Sequence, residues 1–262
     1  EFRRVLFRSQ AGMRHNTRAL IAKHPNARSR IAAIGLSGHM LGLLPVDAAG
    51  RALRPHAIHS DTRATAQFEA AQARIGAAAI YQQTGCILDP RSPLCKALWI
   101  KQNEPDVYAR TARFLQSKDY IVAWLTGEID TTDFSDASHA QWFDIHTKSR
   151  ADALLQELGL APEKFPTVRS GARIVGALTA AAARELDLPE GIPVAAGGGD
   201  GSCATIGAGA VRPGDAYCCL GSTAWIAYTS PTPVIDPERR IFDIMSVDGE
   251  TYGVFGTIQS AG

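Results

Sequence analysis

The sequence is short of the features that would tie it to a disulfide framework, a zinc site, a membrane or a polyanion. Its five cysteines, Cys86, Cys95, Cys203, Cys218 and Cys219, are odd in number and include no Cys-x-x-Cys spacing. On a strand, adjacent Cys218 and Cys219 would point to opposite faces. Reduced thiols buried as small hydrophobes are expected, and with them a cytoplasmic setting. The seven histidines form no His-x-x-x-His or His-Glu-x-x-His pattern, so metal held by imidazoles is not expected. No apolar run approaches the roughly 20 residues of a membrane span. With 27 basic and 26 acidic residues the net charge is +1, which removes the electrostatic case for nucleic acid or acidic lipid. The first ten residues carry three arginines and no sustained apolar stretch, so they do not read as a signal peptide. Glu1-Phe2 is what a common cloning site encodes, and residues 1–10 are set aside as a cloning or assembly scar.

Glycine, by contrast, is plentiful, at 24 residues, and it is concentrated where chemistry is expected. Gly197-Gly198-Gly199-Asp200-Gly201 follows the apolar run Ile192 to Ala196 and precedes the small-residue stretch Ser202 to Ala210. The order predicts a buried strand, a turn without side chains that lets a ligand approach the backbone, then a close-packed helix with a carboxylate at its start. Asp200 could instead be a plain N-cap, which needs no ligand. The segment also satisfies a dinucleotide fingerprint as Gly199-x-Gly201-x-x-Ala204. However, the acid expected about 20 positions on has only Asp215 as candidate, and Asp215 precedes the next apolar run rather than following it. A hairpin is predicted over Tyr217 to Tyr228, with Gly221-Ser222-Thr223 between two strand-like runs. That turn is either a phosphate clamp or an ordinary tight turn.

With 45% hydrophobic residues the chain can bury one large core or two modest ones. Strands are expected over Arg30 to Leu36, ending at Ser37-Gly38, over Leu43 to Val46, and up to Ala57-Ile58. The last of these stops at the polar cluster His59-Ser60-Asp61-Thr62-Arg63, so several polar strand ends gather along one sheet edge. From Ala64 to about Gly159 the pattern is helical, interrupted by Pro90, Pro93 and Pro105. Ser117 is expected to cap a helix that buries Ile121, Trp124 and Leu125 and stops at Gly127. Ala151, Leu154, Leu155 and Leu158 share a face before Gly159. An alanine-rich helix is expected over Thr179 to Leu188 and a strand over Tyr252 to Ile258.

These segments, taken in order, resemble the FGGY carbohydrate kinases, most closely the xylulokinase-like group of pentulose and hexulose kinases. The motifs run Gly35-Leu36-Ser37-Gly38-His39-Met40, Asp61-Thr62-Arg63, Pro93-Leu94-Cys95-Lys96-Ala97-Leu98-Trp99-Ile100, Lys118-Asp119-Tyr120 with Leu125-Thr126-Gly127, Ser135-Asp136-Ala137-Ser138, Gly197 to Gly201, and Gly221-Ser222-Thr223. The resemblance runs from about Ile31 to the C-terminus, about nine tenths of the chain. The stretch from Pro93 keeps the family's first signature at Pro93, Lys96, Trp99 and Ile100 and departs from it at Arg91 and Ala97.

The resemblance implies an α/β, actin-like ATPase (ribonuclease H-like) lobe with a mixed sheet and flanking helices. It also implies ATP and Mg2+ as cofactors and a small-molecule sugar as substrate, and it leaves room for a homodimer. Asp200 would be the catalytic general base and would also contact the sugar together with His39, Met40, Asp61 and Arg63. Gly221, Ser222 and Thr223 would bind the phosphates, and no residue is assigned to metal. Where the family pattern has Gln-Met-His-Gly, this chain has His39-Met40-Leu41-Gly42, so an imidazole is lost at Leu41 and one appears two places earlier. Asp61 and Arg63 could equally form a surface pair of little energetic weight.

Residues 11–228 are expected to be the sugar-binding N-terminal domain without its first strands, and 229–262 the start of the nucleotide domain. Nothing between Glu1 and Ala32 resembles the family's Asp-x-Gly-Thr strand. The chain is therefore expected to be a central piece, truncated at both ends, of a kinase roughly twice its length and inactive alone. The alternatives are a sugar-binding piece without catalysis, a kinase acting on another polyol such as glycerol, and, less in keeping with the misplaced acid, a nucleotide-dependent oxidoreductase.

Overall fold

The computed structural model describes residues 4–220 and 224–258. Its elements mix helices and short strands, as the α/β expectation requires. A patch of pairings at the centre positions the glycine run. Ile174–Ala177 pairs antiparallel with Pro193–Ala195, Val194 bridges in parallel to Ile34, and Ser37–Gly38 runs parallel to Gly198–Gly199. The strand expected over Arg30 to Leu36 is thus regular only at Ile34 and at Ser37–Gly38, and Pro25–Arg30 is a 3-10 helix instead. The Ile34 N–H donates to the Pro193 carbonyl and the Ile34 carbonyl accepts from Ala195, whereas Ala32, Ala33 and Gly35 are exposed. With a neighbour on one side only, the run forms a ladder only where its apolar side chain is covered.

Leu44–Val46 is a strand as expected, and its partner is Arg113–Leu115, which lies inside the stretch read as helical. That stretch does hold the helices Thr65–Ile75, Ala77–Thr84, Pro93–Asn103, Ser117–Thr126 and Asp152–Glu157. Two- and three-residue strands such as Thr132–Asp133 and Phe143–Asp144 separate them and are too short to leave a periodic signal. The helix Ser117–Thr126 ends at Gly127 (φ 82°) and buries Ile121 and Leu125, as expected. Its cap is Gln116 rather than Ser117: Gln116 and Asp119 form a reciprocal capping box. The Ser117 hydroxyl is spent elsewhere, donating to the His39 carbonyl at 3.0 Å.

Residues 4–10, set aside above, open the helix Arg4–Lys23, which packs beside Ala180–Leu186. Arg18 donates to the carbonyls of Glu185 and Arg184, both in the last turn of that second helix. Apolar side chains gather in two main clusters. One lies among the central helices around Leu94, Ile100, Phe143 and Leu155, and one lies under the glycine strand around Leu125, Leu186 and Val194. The second half of the chain closes with a four-stranded antiparallel sheet, ordered Ala216–Leu220, Ala224–Ser230, Tyr252–Ile258, Phe242–Met245. The domain boundary expected between 228 and 229 falls within the strand Ala224–Ser230, so the sheet is continuous across it.

Candidate active site

The glycine run is shaped by crowding on both sides. Gly197 has φ 77°, and a Cβ there would lie 2.4 Å from the Leu36 carbonyl oxygen. A Cβ on Gly198 would meet Val247 at 2.7 Å, and one on Gly199 would meet the Met40 Sδ at 2.7 Å. The backbone therefore leaves the sheet through a gap that admits no side chain. The helix Asp200–Gly207 starts at once, with Gly199 as its N-cap residue. Asp200 is then the first helical residue and not the cap. Its carboxylate accepts the Gly201 N–H at 2.9 Å and the residue is exposed. The location suits an anion, because the free N–H groups of the first turn carry partial positive charge.

Beneath this turn lies a buried ionic cluster for which the sequence reading gave no role. The Lys118 ammonium bonds the Asp119 carboxylate, lies 3.2 Å from Asp133 and 3.5 Å from Asp136, and donates to the Ala196 carbonyl at 3.1 Å. All four side chains are essentially inaccessible. Burial alone would lower the Lys118 pKa, but the three carboxylates reverse this and raise it. Burial pushes the Asp136 carboxyl well above its usual range, with Lys118 opposing and Asp133 and Asp119 adding to the rise. Asp133 also accepts from the Ser135 hydroxyl, and the Ser135 Oγ accepts the Gly199 N–H at 2.9 Å. A polar chain thus runs from Lys118 through Asp133 and Ser135 to the amide immediately before Asp200.

The sugar-site residues expected from the sequence do not all play the same part. His39 sits at the strand end, half-buried, with its pKa lowered by burial and by His59, while Asp200 opposes the shift. Met40 is buried, and its thioether props Gly199 and Gly201 from below, so it shapes the turn that carries Asp200. Arg63 grips both oxygens of Asp61, at 2.8 and 2.9 Å through Nε, and its guanidinium lies 5.0 Å from the Trp99 ring centre. Burial opposes the effect, but the Arg63 hydrogen bonds leave the Asp61 pKa lowered. The ion pair is therefore formed, with the Asp61 side chain only 7% exposed, at the edge of an open recess lined by Ile58, Ser60, Thr62 and Trp99. Gly221, Ser222 and Thr223 lie outside the described residues. The strands flanking them pair antiparallel, as the expected hairpin requires, with Leu220 opposite Ala224.

Two groups went unassigned in the sequence. Lys96, buried at 1% exposure, donates to the carbonyls of Leu41 and Ile58, both at 2.7 Å, and burial pulls its pKa down to about 8. His56, equally buried, stands with its ring centre 5.2 Å from that of His39. A lysine and a histidine inside otherwise apolar strand or helix runs were the available signal. Among the described residues no group of His, Cys, Asp and Glu side chains could hold a metal ion, and no helix is long and apolar enough to cross a membrane. The cysteines are free thiols, but only Cys86 and Cys95 are buried as expected: Cys203 and Cys219 are half-buried and Cys218 is exposed, the last two on the outermost strand Ala216–Leu220 of its sheet.

Comparison with known proteins fits this arrangement. Residues 11–207 match the N-terminal domain of the FGGY family of carbohydrate kinases. The chain is 31% identical to a xylulose kinase of Escherichia coli over 211 residues, covering 80% of the chain and 43% of that protein. It is 32% identical to a xylulose kinase of Bacillus subtilis over 196 residues, covering 75% of the chain and 39% of that protein. The crystal structure of a xyloylose kinase from Brucella ovis superposes with a TM-score of 0.85 at 34% identity, over 93% of this chain and 50% of that one. The chain thus spans less than half the length of these two curated relatives. A glycine turn that presents one acid beside a polar strand end, within the actin-like ATPase fold of these sugar kinases, places the chain in the FGGY family of carbohydrate kinases.

Proposed function

We propose that this chain contributes the sugar side of an ATP-dependent kinase that phosphorylates a hydroxyl of a ketose, a xylulose-like pentulose or hexulose, with Asp200 as general base. The observation that carries the reading is the exposed Asp200 carboxylate at a helix start, beyond a backbone gap closed to side chains and within electrostatic reach of His39. The similarity to xylulose kinases supports the substrate class. ATP would supply the phosphoryl group, and the hairpin residues Gly221, Ser222 and Thr223 would hold its phosphates. Magnesium would reach the site with the phosphates of ATP, and no cluster of three or more His, Cys, Asp or Glu side chains among the described residues would hold it by itself.

The protein's own part is positional. The acceptor hydroxyl sits between the strand end at His39 and the Asp200 carboxylate, which takes its proton as the oxygen attacks phosphorus. A dry floor made by Met40 and the Gly199 backbone excludes water from that side. Asp61 and Arg63, bonded to one another, would border the sugar through their outer faces. A cytoplasmic setting suits the free thiols. We place the start of the nucleotide domain in the sheet that begins at Ala216.

The test is Asp200→Asn in an enzyme of the relatives' full length built around this segment. Turnover should fall by roughly 10² to 10⁴-fold, as when a general base is lost, while sugar affinity holds. Near-normal turnover would overturn the assignment.

A further inference from the structure

Glycine as an N-cap residue brings no side chain to a helix entry, and the helix Asp200–Gly207 starts with no side-chain cap. Its entry is held from outside. Of four consecutive amides, those of Ala196, Gly197 and Gly198 donate to the carbonyls of Arg173, Gly171 and Leu36 at 2.9 to 3.0 Å. The fourth, Gly199, donates at 2.9 Å to a side chain, the hydroxyl of Ser135 in the short helix Phe134–His139. The direction of that bond is fixed. The Ser135 hydroxyl gives its own proton to the Asp133 carboxylate, which also accepts the Ser135 N–H at 2.9 Å, so only lone pairs are left to face Gly199. Lys118 holds the other end of the run at the Ala196 carbonyl and stands 3.2 Å from Asp133. Its stem lies against the run: a Cβ on Gly197 would meet the Lys118 Cδ at 3.0 Å, and one on Gly38 the Lys118 Cβ at 2.8 Å. Ser135, Asp133 and Lys118 are buried, which keeps solvent from competing for these bonds.

Resting on the sugar-kinase reading above, we propose that Ser135 is a positioning residue for the reaction: by holding the Gly199 amide it sets the direction of the Asp200 carboxylate. Between the held nitrogen and the Asp200 α-carbon lie only two rotations, φ −64° and ψ 144° of Gly199, and one planar peptide. Glycine left to itself would rotate widely about both. Ser135 fixes one end of that short lever, and the Met40 thioether crowds the face where a Cβ would stand. The Asp200 carboxylate accepts the Gly201 N–H within the first turn, so a displaced turn carries the carboxylate with it. A general base works only within hydrogen-bond reach of its proton, and a shift of about 1 Å costs rate while the sugar still binds. A serine that served the fold alone would change stability and leave the direction of Asp200 as it was.

The Gly201 amide reports the direction of Asp200, because its N–H is bonded to that carboxylate. In the 262-residue chain labelled with ¹⁵N-glycine, the Gly201 signal should move as Asp200 ionises, and Asp200→Asn, by abolishing the movement, identifies it. In Ser135→Ala, checked for folding by thermal unfolding, the movement should shrink about twofold or more, and Ser135→Thr, which keeps the hydroxyl, should restore it. In an enzyme of the relatives' full length built around this segment, Ser135→Ala should lower kcat about tenfold, the scale of one lost hydrogen bond, with KM for D-xylulose held within about twofold. A folded Ser135→Ala chain with an unchanged Gly201 movement, or an enzyme whose loss lies in KM alone, overturns the inference and leaves the kinase reading standing. Normal turnover in Asp200→Asn beside a diminished Gly201 movement in Ser135→Ala overturns the base, while the hold of Ser135 on Asp200 stands. Amide hydrogen exchange of the unmutated chain decides the matter even if no variant folds: Gly199 should exchange no more than about tenfold faster than Gly198, and faster exchange overturns the inference.

Discussion

At the scale of single residues the Lys118 cluster makes the plainest demand on the molecule. One ammonium faces three carboxylates in a space closed to water, so full ionisation would leave net negative charge buried, and an unpaired buried charge is costly. Burial, with Asp133 and Asp119 adding to it, raises the folded pKa of Asp136 well above the usual carboxylate range. The sign follows from linkage. A carboxyl with a raised folded pKa contributes stability that is fully present below its unfolded pKa and is lost as pH rises through the folded value. Asp136→Asn keeps shape and removes that titration. Its urea midpoint should stay close to wild type near pH 4 and move above it as pH climbs towards 8. Parallel pH profiles for the two proteins would show that Asp136 does not carry the proton.

At the scale of elements, the parallel pairing of Ser37–Gly38 with Gly198–Gly199 holds the site together; the two glycine-marked ends were readable in the sequence, but their pairing was not. The turn geometry of Gly197 to Asp200 is local, so residue type alone predicted a strand, a turn and a helix in the order found. The polar chain beneath it was not readable. Lys118, Asp133 and Ser135 belong to separate elements that meet only after the sheet has formed, and no sequence period links them. His56 escaped for the same reason, because its neighbour His39 lies across the Leu43 to Ala57 bridge. Two glycines separate the structural demand from mere composition. Gly197→Ala puts a Cβ 2.4 Å from the Leu36 carbonyl at a positive φ, so it should destabilise by about 2 kcal/mol or more, as forced strain in a packed backbone does. Gly207→Ala meets nothing within 4 Å on a helix, so it should be neutral or stabilising by roughly 0.5–1 kcal/mol. Similar unfolding midpoints for the two variants would remove the crowding argument.

On the scale of the whole molecule, the fold class was legible because the motifs kept their order along the chain. The short strands were not legible, since pairs such as Thr132–Asp133 with Val168–Arg169 take their conformation from a partner and not from their own side chains. What the chain contains also bounds what it can do when assayed by itself. Its 262 residues contain no Asp-x-Gly-Thr motif. Phosphoryl transfer depends chiefly on positioning and on preorganised charge around the transferred group. On the proposed reading, an acceptor side alone would bind sugar without turning it over. Incubated with ATP, magnesium and D-xylulose, the 262-residue chain should release no sugar-dependent ADP in a coupled assay, while the same preparation binds the sugar weakly through the strand end at His39 and the Asp200 turn. Robust ketose-dependent ADP release would mean that these 262 residues, the 221–223 hairpin among them, hold the phosphates unaided, and the expectation that the chain alone is inactive would have to be abandoned.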